Sequence, residues 1–357
     1  GRIVAEGVHD PIAPYLPDGV RIQVAIDIDD KDGRIKVDLR DNPDSVDAGL
    51  NLTRSTATMS AAQAVFCCLD SDIPHNSGSL RRIEVALREN CIVGIPRFPH
   101  SCSVATTNMT DTIINAILAG FSQLGDGYGF SQGNMCNGAG TGVCSGKDWR
   151  LNDAPYVNQM FMSAGGMPAS ARNDGMHGLV NPVSVGLVYR DSIEVNEQRF
   201  PFQVQCVRAL EDSCGAGRRR GGPASEVIFG PRHDEMLVIN ICNGLVNVPR
   251  GVLGGRPAKA GLQARLAADG VEHVYGTDAY CHLAPGDRLR AVDNGGGGYG
   301  DPLEREAERV LADVAERYVS RAQAEAVYGV VITGSAARDD LAVDAEATAE
   351  LRQRLRP

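Results

Sequence analysis

The chain contains no apolar run approaching the ~20 residues that a membrane-spanning helix needs, and no charged and apolar leader at its N-terminus. Both absences point to a cytoplasmic protein that does not touch a membrane. It has no basic excess either. The net charge is -10, which opposes nucleic-acid binding, because neutralising phosphates requires a basic face. The one basic run, Arg218-Arg219-Arg220, sits between glycines and reads as a local anion contact or a solvated turn. The ten cysteines form no C-x-x-C pair and follow no regular spacing, so neither a disulfide framework nor a zinc set is expected. Reduced thiols packed in cores are the reading. Three catalytic signatures are missing: the G-x-S-x-G elbow, the H-E-x-x-H helix and the phosphate loop. No internal repeat or coiled-coil pattern is present, and no residue is assigned to a metal.

What is present is a chain of 357 residues, long enough for two or more subdomains. Ile22, Val24, Ile26 and Ile28 alternate with polar residues. After the turn at Asp29–Gly33 the alternation resumes at Ile35, Val37 and Leu39, predicting a hairpin over 21–40. Residues 53–69 are rich in Ala, Ser and Thr and predict a helix with a small-residue face. A strand is expected over Arg82–Leu87, then a helix from an N-cap at Thr110 to Leu124 with an apolar face through Ile113, Ile117 and Phe121. Residues 125–182 are Gly-, Asn- and Met-rich and irregular, broken by a strand at Tyr156–Met162; such long polar segments more often carry function. Short strands are expected at Val183–Tyr189, Phe202–Ala209, Val227–Phe229 and Leu237–Ile241. Beyond Pro302 the pattern is helical, with Ser320 and Gln323 fitting a capping box, and 339–357 is a surface helix or a frayed tail. The fold class is therefore α+β, with β-rich mixed sheets, several packed helices and a C-terminal helical segment. Its parts are 1–182 as the cleft-forming part, 183–302 as a β-rich part, and 303–357.

Four consecutive glycines, Gly295–Gly298, follow a strand-like segment and precede a helix start. A run of residues with this ordering cost implies a backbone path that side chains would block. It is either a tight packing turn or a ligand cradle. Candidate site residues lie in the polar loops. Asp174 and His177 are three apart between glycines, so the carboxylate can orient the imidazole; a hydrogen-bonded structural loop is the alternative. Thr107 and Asn108 precede a helix whose first N–H groups lack partners, and either contact substrate or cap that helix. Asn51 lines a cleft at the N-terminus of the helix that follows it, or caps that helix through its side chain. Gln132 and Asn137 carry amide groups able to make paired hydrogen bonds to a polar ligand, or belong to an ordinary polar loop. Asp174→Ala or Asn108→Ala should lower turnover and leave the fold intact.

Several stretches carry a family resemblance. They are Asp38…Asn42-Pro43…Gly49-Leu50-Asn51, Ile73-Pro74-His75-Asn76-Ser77-Gly78, Arg82-Ile83-Glu84-Val85, Ser131-Gln132-Gly133, Gly165-Gly166-Met167, the run Gly215–Gly222, and Asn294–Pro302 with the helical segment after it. In this order, from about Val20 to about Val331, they resemble the hydantoinase B/oxoprolinase family. The resemblance implies a subunit of a hetero-oligomeric, ATP-dependent amidohydrolase that opens a hydantoin or lactam ring. A hydantoinase A-type partner would bind ATP with Mg. Relatives carboxylate ketones, so a carboxylase subunit is one alternative and a non-catalytic scaffold another. The family pattern also has an N-terminal region with His and Asp motifs resembling metal ligands. Gly1 matches a point inside the pattern, so a divalent metal is expected in that missing region, and the chain is read as a fragment, a cut product, or one that another chain completes.

Overall fold

The computed structural model describes residues 1–104, 108–136, 138–179 and 190–356. The N-terminal layer is a four-stranded sheet of β1 (Arg2–His9), β2 (Val20–Asp29), β3 (Arg34–Asp38) and β4 (Ile83–Ala86), in that order. The first three strands are antiparallel and β4 joins β3 in parallel. A parallel neighbour needs a crossover, supplied here by α1 (Arg54–Cys68) and the short α2 (Ser77–Leu80). Thr53 caps α1, its hydroxyl accepting from Thr56 N at 3.2 Å. Ala57, Ala61 and Ala64 are fully buried, and this small face lets α1 lie close against α3 (Met109–Phe121). Every residue of α3 except Ala119 is buried. A helix buried all round is a core element, and α3 packs on the sheet and on α1 together. The helix starts one residue before Thr110, so Thr110 is not its cap. Asn108 occupies that position, with its amide drawn away from the helix end.

Next comes a β-sandwich. One sheet has the order β14-β11-β5-β6 and the other β13-β12-β15-β10-β9. The strands are β5 (Val143–Asp148), β6 (Ala154–Gln159), β9 (Phe202–Ala209), β10 (Ser225–Pro231), β11 (Met236–Ile241), β12 (Leu262–Leu266), β13 (Glu272–Val274), β14 (Asp278–Leu283) and β15 (Arg288–Val292). Phe202, Val227, Phe229 and Leu289 of one sheet meet Cys144, Val238, Cys281 and Leu283 of the other in a common core. The sandwich thus draws strands from both sides of position 182. A two-stranded ribbon, β7 (Gly165–Gly166) with β8 (His177–Leu179), and the helix α4 (Ile193–Arg199) flank it. The strand expected at 183–189 lies outside the described residues.

The glycine stretch is a backbone knot. A Cβ on Gly296 would stand 1.8 Å from Met167 O, and one on Gly221 would stand 1.8 Å from Gly296 O. Only a residue without a side chain fits where four chain segments cross this closely. The N–H groups of Gly296, Gly297, Gly298, Tyr299 and Gly300 donate to the carbonyls of Gly222, Gln132, Arg256, Arg219 and Val252. The packing alternative holds, and the cradle alternative is corrected: the donors that would hold an anion are already bonded to the chain.

A third core, with Val310, Val319, Ala324, Tyr328 and Ile332, unites α5 (Ala307–Ala315), α6 (Arg321–Tyr328) and the hairpin β16 (Ile332–Thr333) with β17 (Ala342–Val343), while α7 (Ala345–Leu355) is tied on by Thr348 Oγ1 accepting from Val331 N at 3.0 Å and Arg352 Nε donating to Tyr328 O at 3.1 Å. Ser320 caps α6, accepting from Gln323 N at 3.1 Å. The C-terminal segment is a helix, capped by Asp344.

Candidate functional site

A buried polar seam joins the N-terminal layer to the sandwich. His9 ends β1, and its Nδ1 lies 2.8 Å from Asp10 O. A carbonyl only accepts, so Nδ1 carries the proton and Nε2 faces the Asn108 amide at 3.3 Å. Burial pushes the His9 pKa down, which keeps the ring neutral. The Asp10 carboxylate accepts from the N–H groups of Leu245, Val246 and Asn247 and from the Asn247 side chain, all within 2.6–3.0 Å. Asp10 N donates to Asn243 Oδ1 at 2.9 Å. Asp10 therefore straps the start of the chain onto the sandwich. Farther along, Gln263 donates to Cys242 Sγ at 3.1 Å and Asn134 Oδ1 accepts from Asn294 N at 3.0 Å.

A second centre gathers His177, Arg190, Ser163 and Asp293. Asp293 follows β15 and is 1% exposed, yet among the described residues neither carboxylate oxygen has a hydrogen bond of normal geometry. The Ser163 hydroxyl and the Gly138 N–H lie near it without closing one. A buried carboxyl in this state is costly when charged. Burial pushes its pKa up to about 7, with the Ser163 hydroxyl, the Arg190 charge and the Gly138 N–H offsetting part of the rise. Arg190 donates to Ser225 Oγ at 2.7 Å and to Ala164 O at 3.5 Å. Its guanidinium acts on both sides: burial lowers the His177 pKa, and the Arg190 charge lowers it further. His177 Nδ1 lies 3.1 Å from Pro223 O, which fixes the proton on Nδ1 and leaves Nε2 as the acceptor. A carboxyl titrating near neutrality, a neutral imidazole and a guanidinium together can move a proton and stabilise an oxyanion.

The other expected residues fall elsewhere. Asp174 does not orient His177. Its carboxylate takes two hydrogen bonds from Arg305, at 2.7 and 2.9 Å, and one from Arg220 N at 3.0 Å. Arg305 and Arg220 both also bond Asp313, so Asp174 belongs to an ion-pair network that docks α5. Asn51 neither caps α1 nor lines a cleft. Its side chain binds Val46 N and the carbonyls of Val46, Ala48 and Ser101. Gln132 Oε1 accepts from Arg250 N at 3.0 Å, tying two loops of the knot. Asn108 lies in the seam, bonded to His9. Thr107 and Asn137 lie outside the described residues. The sequence reading missed His9, Asp10 and Arg190. His9-Asp10 at the end of an apolar-alternating strand was the available signal. Arg190 had none, because its neighbours Ala164, Ser225 and Asp293 are distant in the chain.

The knot's bonded N–H groups do not fit a phosphate. Among the described residues no group of three or more His, Cys, Asp or Glu side chains is arranged to hold a metal ion.

Comparison with known proteins fits this architecture. The chain is 29% identical over 281 residues to the caprolactamase subunit beta of Pseudomonas jessenii, covering 77% of this chain and 48% of that one. It is 26% identical over 350 residues to the acetophenone carboxylase delta subunit of Aromatoleum aromaticum, covering 88% and 50%. It thus spans about half the length of these curated relatives. The crystal structure of the ATP-dependent caprolactamase from Pseudomonas jessenii shares the fold, with a TM-score of 0.79 at 23% identity, covering 99% of this chain and 60% of that one. The family model described as hydantoinase B/oxoprolinase matches residues 3–302, and the chain belongs to the hydantoinase B/oxoprolinase family.

Proposed function

We propose that this chain is the ring-binding, hydrolytic subunit of an ATP-dependent enzyme that opens a hydantoin or lactam ring in the cytoplasm. The observation that carries the reading is the buried Asp293, without a hydrogen bond of normal geometry among the described residues, near an Arg190 whose charge also reaches His177, in a chain similar to a caprolactamase subunit. A ring amide resists water because its carbonyl is resonance-stabilised. Opening it needs a cation where the oxyanion develops and a group that exchanges a proton near neutral pH. Arg190 supplies the first. Asp293 supplies the second, exchanging its proton through the Ser163 hydroxyl. His177, neutral and accepting at Nε2, receives a hydrogen bond from the ring N–H or from water. Thr107 and Asn137 are kept as contacts to the ring, whereas Asn108, bonded to His9 in the seam, is not. ATP with Mg is assigned to a hydantoinase A-type partner in a hetero-oligomer, and no step on this chain runs through it.

A ketone carboxylase subunit is the second reading, favoured by the likeness to the acetophenone carboxylase delta subunit. One assay separates the two. The chain is combined with an A-type partner, ATP and a panel of hydantoins, lactams and ketones, with and without bicarbonate. Ring opening coupled to ATP hydrolysis, lost in Asp293→Asn, supports the hydrolase. Product that requires bicarbonate moves the chain to the carboxylase branch. Silence across the panel removes both.

A further inference from the structure

A pocket of about 390 Å³ opens at the far end of the sandwich, where Arg265 of β12 reaches over the free edge strand β14. This size lies within the range of small-molecule sites. Met236 and Leu283, both buried, form its apolar floor, and Ser145, His282 and Glu235 stand on its walls. The two charged walls are held by distant or absent counter-charges: Arg265 has one long ion pair, to Asp287, and Glu235 has none among the described residues. Arg265 is held loosely, with Nη1 at 3.5 Å from His282 O and Nε at 3.8 Å from Asp287. Both oxygens of that Asp287 already accept from backbone, Ala268 N at 3.1 Å and Ala284 N at 3.0 Å. Arg265 Nε, buried on the Asp287 side, has no hydrogen bond among the described residues, and of the guanidinium's other donors only Nη1 reaches a partner, His282 O. Glu235 forms no ion pair among the described residues, and Arg265 and Glu235 line the same pocket without pairing with each other.

Two opposite charges that share a cavity without pairing, above an apolar floor, suit a ligand that carries both complements. We propose that this pocket binds a zwitterionic amino acid, its carboxylate on Arg265 and its ammonium toward Glu235, with an aliphatic spacer over Met236 and Leu283. A guanidinium with an unused donor favours a carboxylate, since charge-assisted hydrogen bonds are about twice as strong as neutral ones. The site is separate from the His177–Arg190–Asp293 centre, and the proposal stands whichever reaction that centre serves.

The test is calorimetric titration of the full chain with 6-aminohexanoate, hexanoate and hexylamine. Saturable binding of 6-aminohexanoate is expected, with the two singly charged analogues weaker by about tenfold or more. Arg265→Ala and the milder, surface-exposed Glu235→Gln should each weaken it by a similar factor, with circular dichroism confirming the fold. Arg190→Ala should leave it unchanged. Three results would overturn the proposal: no binding by any probe, equal binding by hexanoate, or binding that survives Arg265→Ala and Glu235→Gln but not Arg190→Ala.

Discussion

Asp174 and Asp293 are both carboxylates withdrawn from water, and the chain treats them in opposite ways. Asp174 is saturated: Arg305, itself 1% exposed, grips it with two hydrogen bonds and turns to Asp313 as well. Burial raises the Asp174 pKa, but the Arg305 bond and charge outweigh it and hold the carboxyl below its ordinary range. Asp293 has no hydrogen bond of normal geometry among the described residues, and burial carries it to about 7. A saturated buried charge holds parts of a fold together. An unsaturated one weakens the fold and is kept where chemistry needs a proton. This contrast moves Asp174 out of the proposed chemistry and puts Asp293 in.

The largest effect should come from the backbone between the two. Gly296→Ala would push a methyl into Met167 O in a knot made of main chain, which cannot shift as a side chain could. A loss of more than about 4 kcal/mol is expected, seen as insoluble or unfolded protein. A soluble variant of near-normal urea midpoint would mean that the knot yields, and that the glycines do not define the ground between the two carboxylates.

Next in size is Arg305→Ala. It takes away the buried cation that Asp174 and Asp313 share, leaving Asp313 with Arg220 and Asp174 with the Arg220 N–H and the rim Arg309, and removing one partner of a buried pair costs about 3–5 kcal/mol. Urea unfolding should show this, with α5–α7 released first. For the same reason Asp174→Ala should act on stability, contrary to what its loop position alone suggested, since it strands Arg305. If both variants unfold like the unmodified chain, the network is ornamental and Asp174 returns as a candidate for turnover.

The two carboxylates should also differ in pH signature. Asp174 has a lowered folded pKa, so its stabilisation is present above the unfolded value near 4 and is lost as pH falls. Asp293 has the reverse sign. Its folded pKa of about 7 lies above the unfolded value of 3.8, so the native state holds the proton longer. Its contribution is greatest below about pH 4 and is lost as pH rises toward 7, a swing of roughly 4 kcal/mol. Asp293→Asn should flatten stability across that window while lowering turnover by about 100-fold or more. A variant that keeps the wild-type slope between pH 4 and 7 would show that Asp293 is not the group titrating there.

How much of this was readable beforehand follows from the range of each interaction. The 21–40 hairpin, the Ala-rich α1 and the Ser320-capped α6 rest on contacts within a few residues, and alternation, propensity and capping encode those directly. The pairing of β1 with β2 leaves little trace in the sequence, because Ile3-Val4-Ala5-Glu6-Gly7-Val8 does not alternate as β2 does and the Asp10–Gly19 loop separates the two strands. The union of β5 with β11 joins Val143 to Ile239, a separation no local pattern records. The candidate site fails for the same reason. Asp174 and His177 looked like a pair because they are near in sequence, but their partners are Arg305 and Pro223. Asp293 is functional in appearance only through what it lacks, and a missing partner leaves no mark in a string of residues.

The smallest expected effect tests whether burial, rather than mere ion pairing, makes the difference. Arg309 touches the same Asp174 carboxylate from the rim, at 3.5 Å and 45% exposed. It also pairs with Glu306 one turn away. Water and salt screen it, and holding its long side chain in one geometry costs entropy. Arg309→Ala should therefore change stability by no more than about 1 kcal/mol, an effect that fades in high salt. Arg305 and Arg309 bear equal charges on one acceptor, so a comparable loss from each would mean that charge count and not desolvation governs the network. The same logic would then strip the unpaired Asp293 of its significance, because its case rests wholly on the cost of leaving water without a partner.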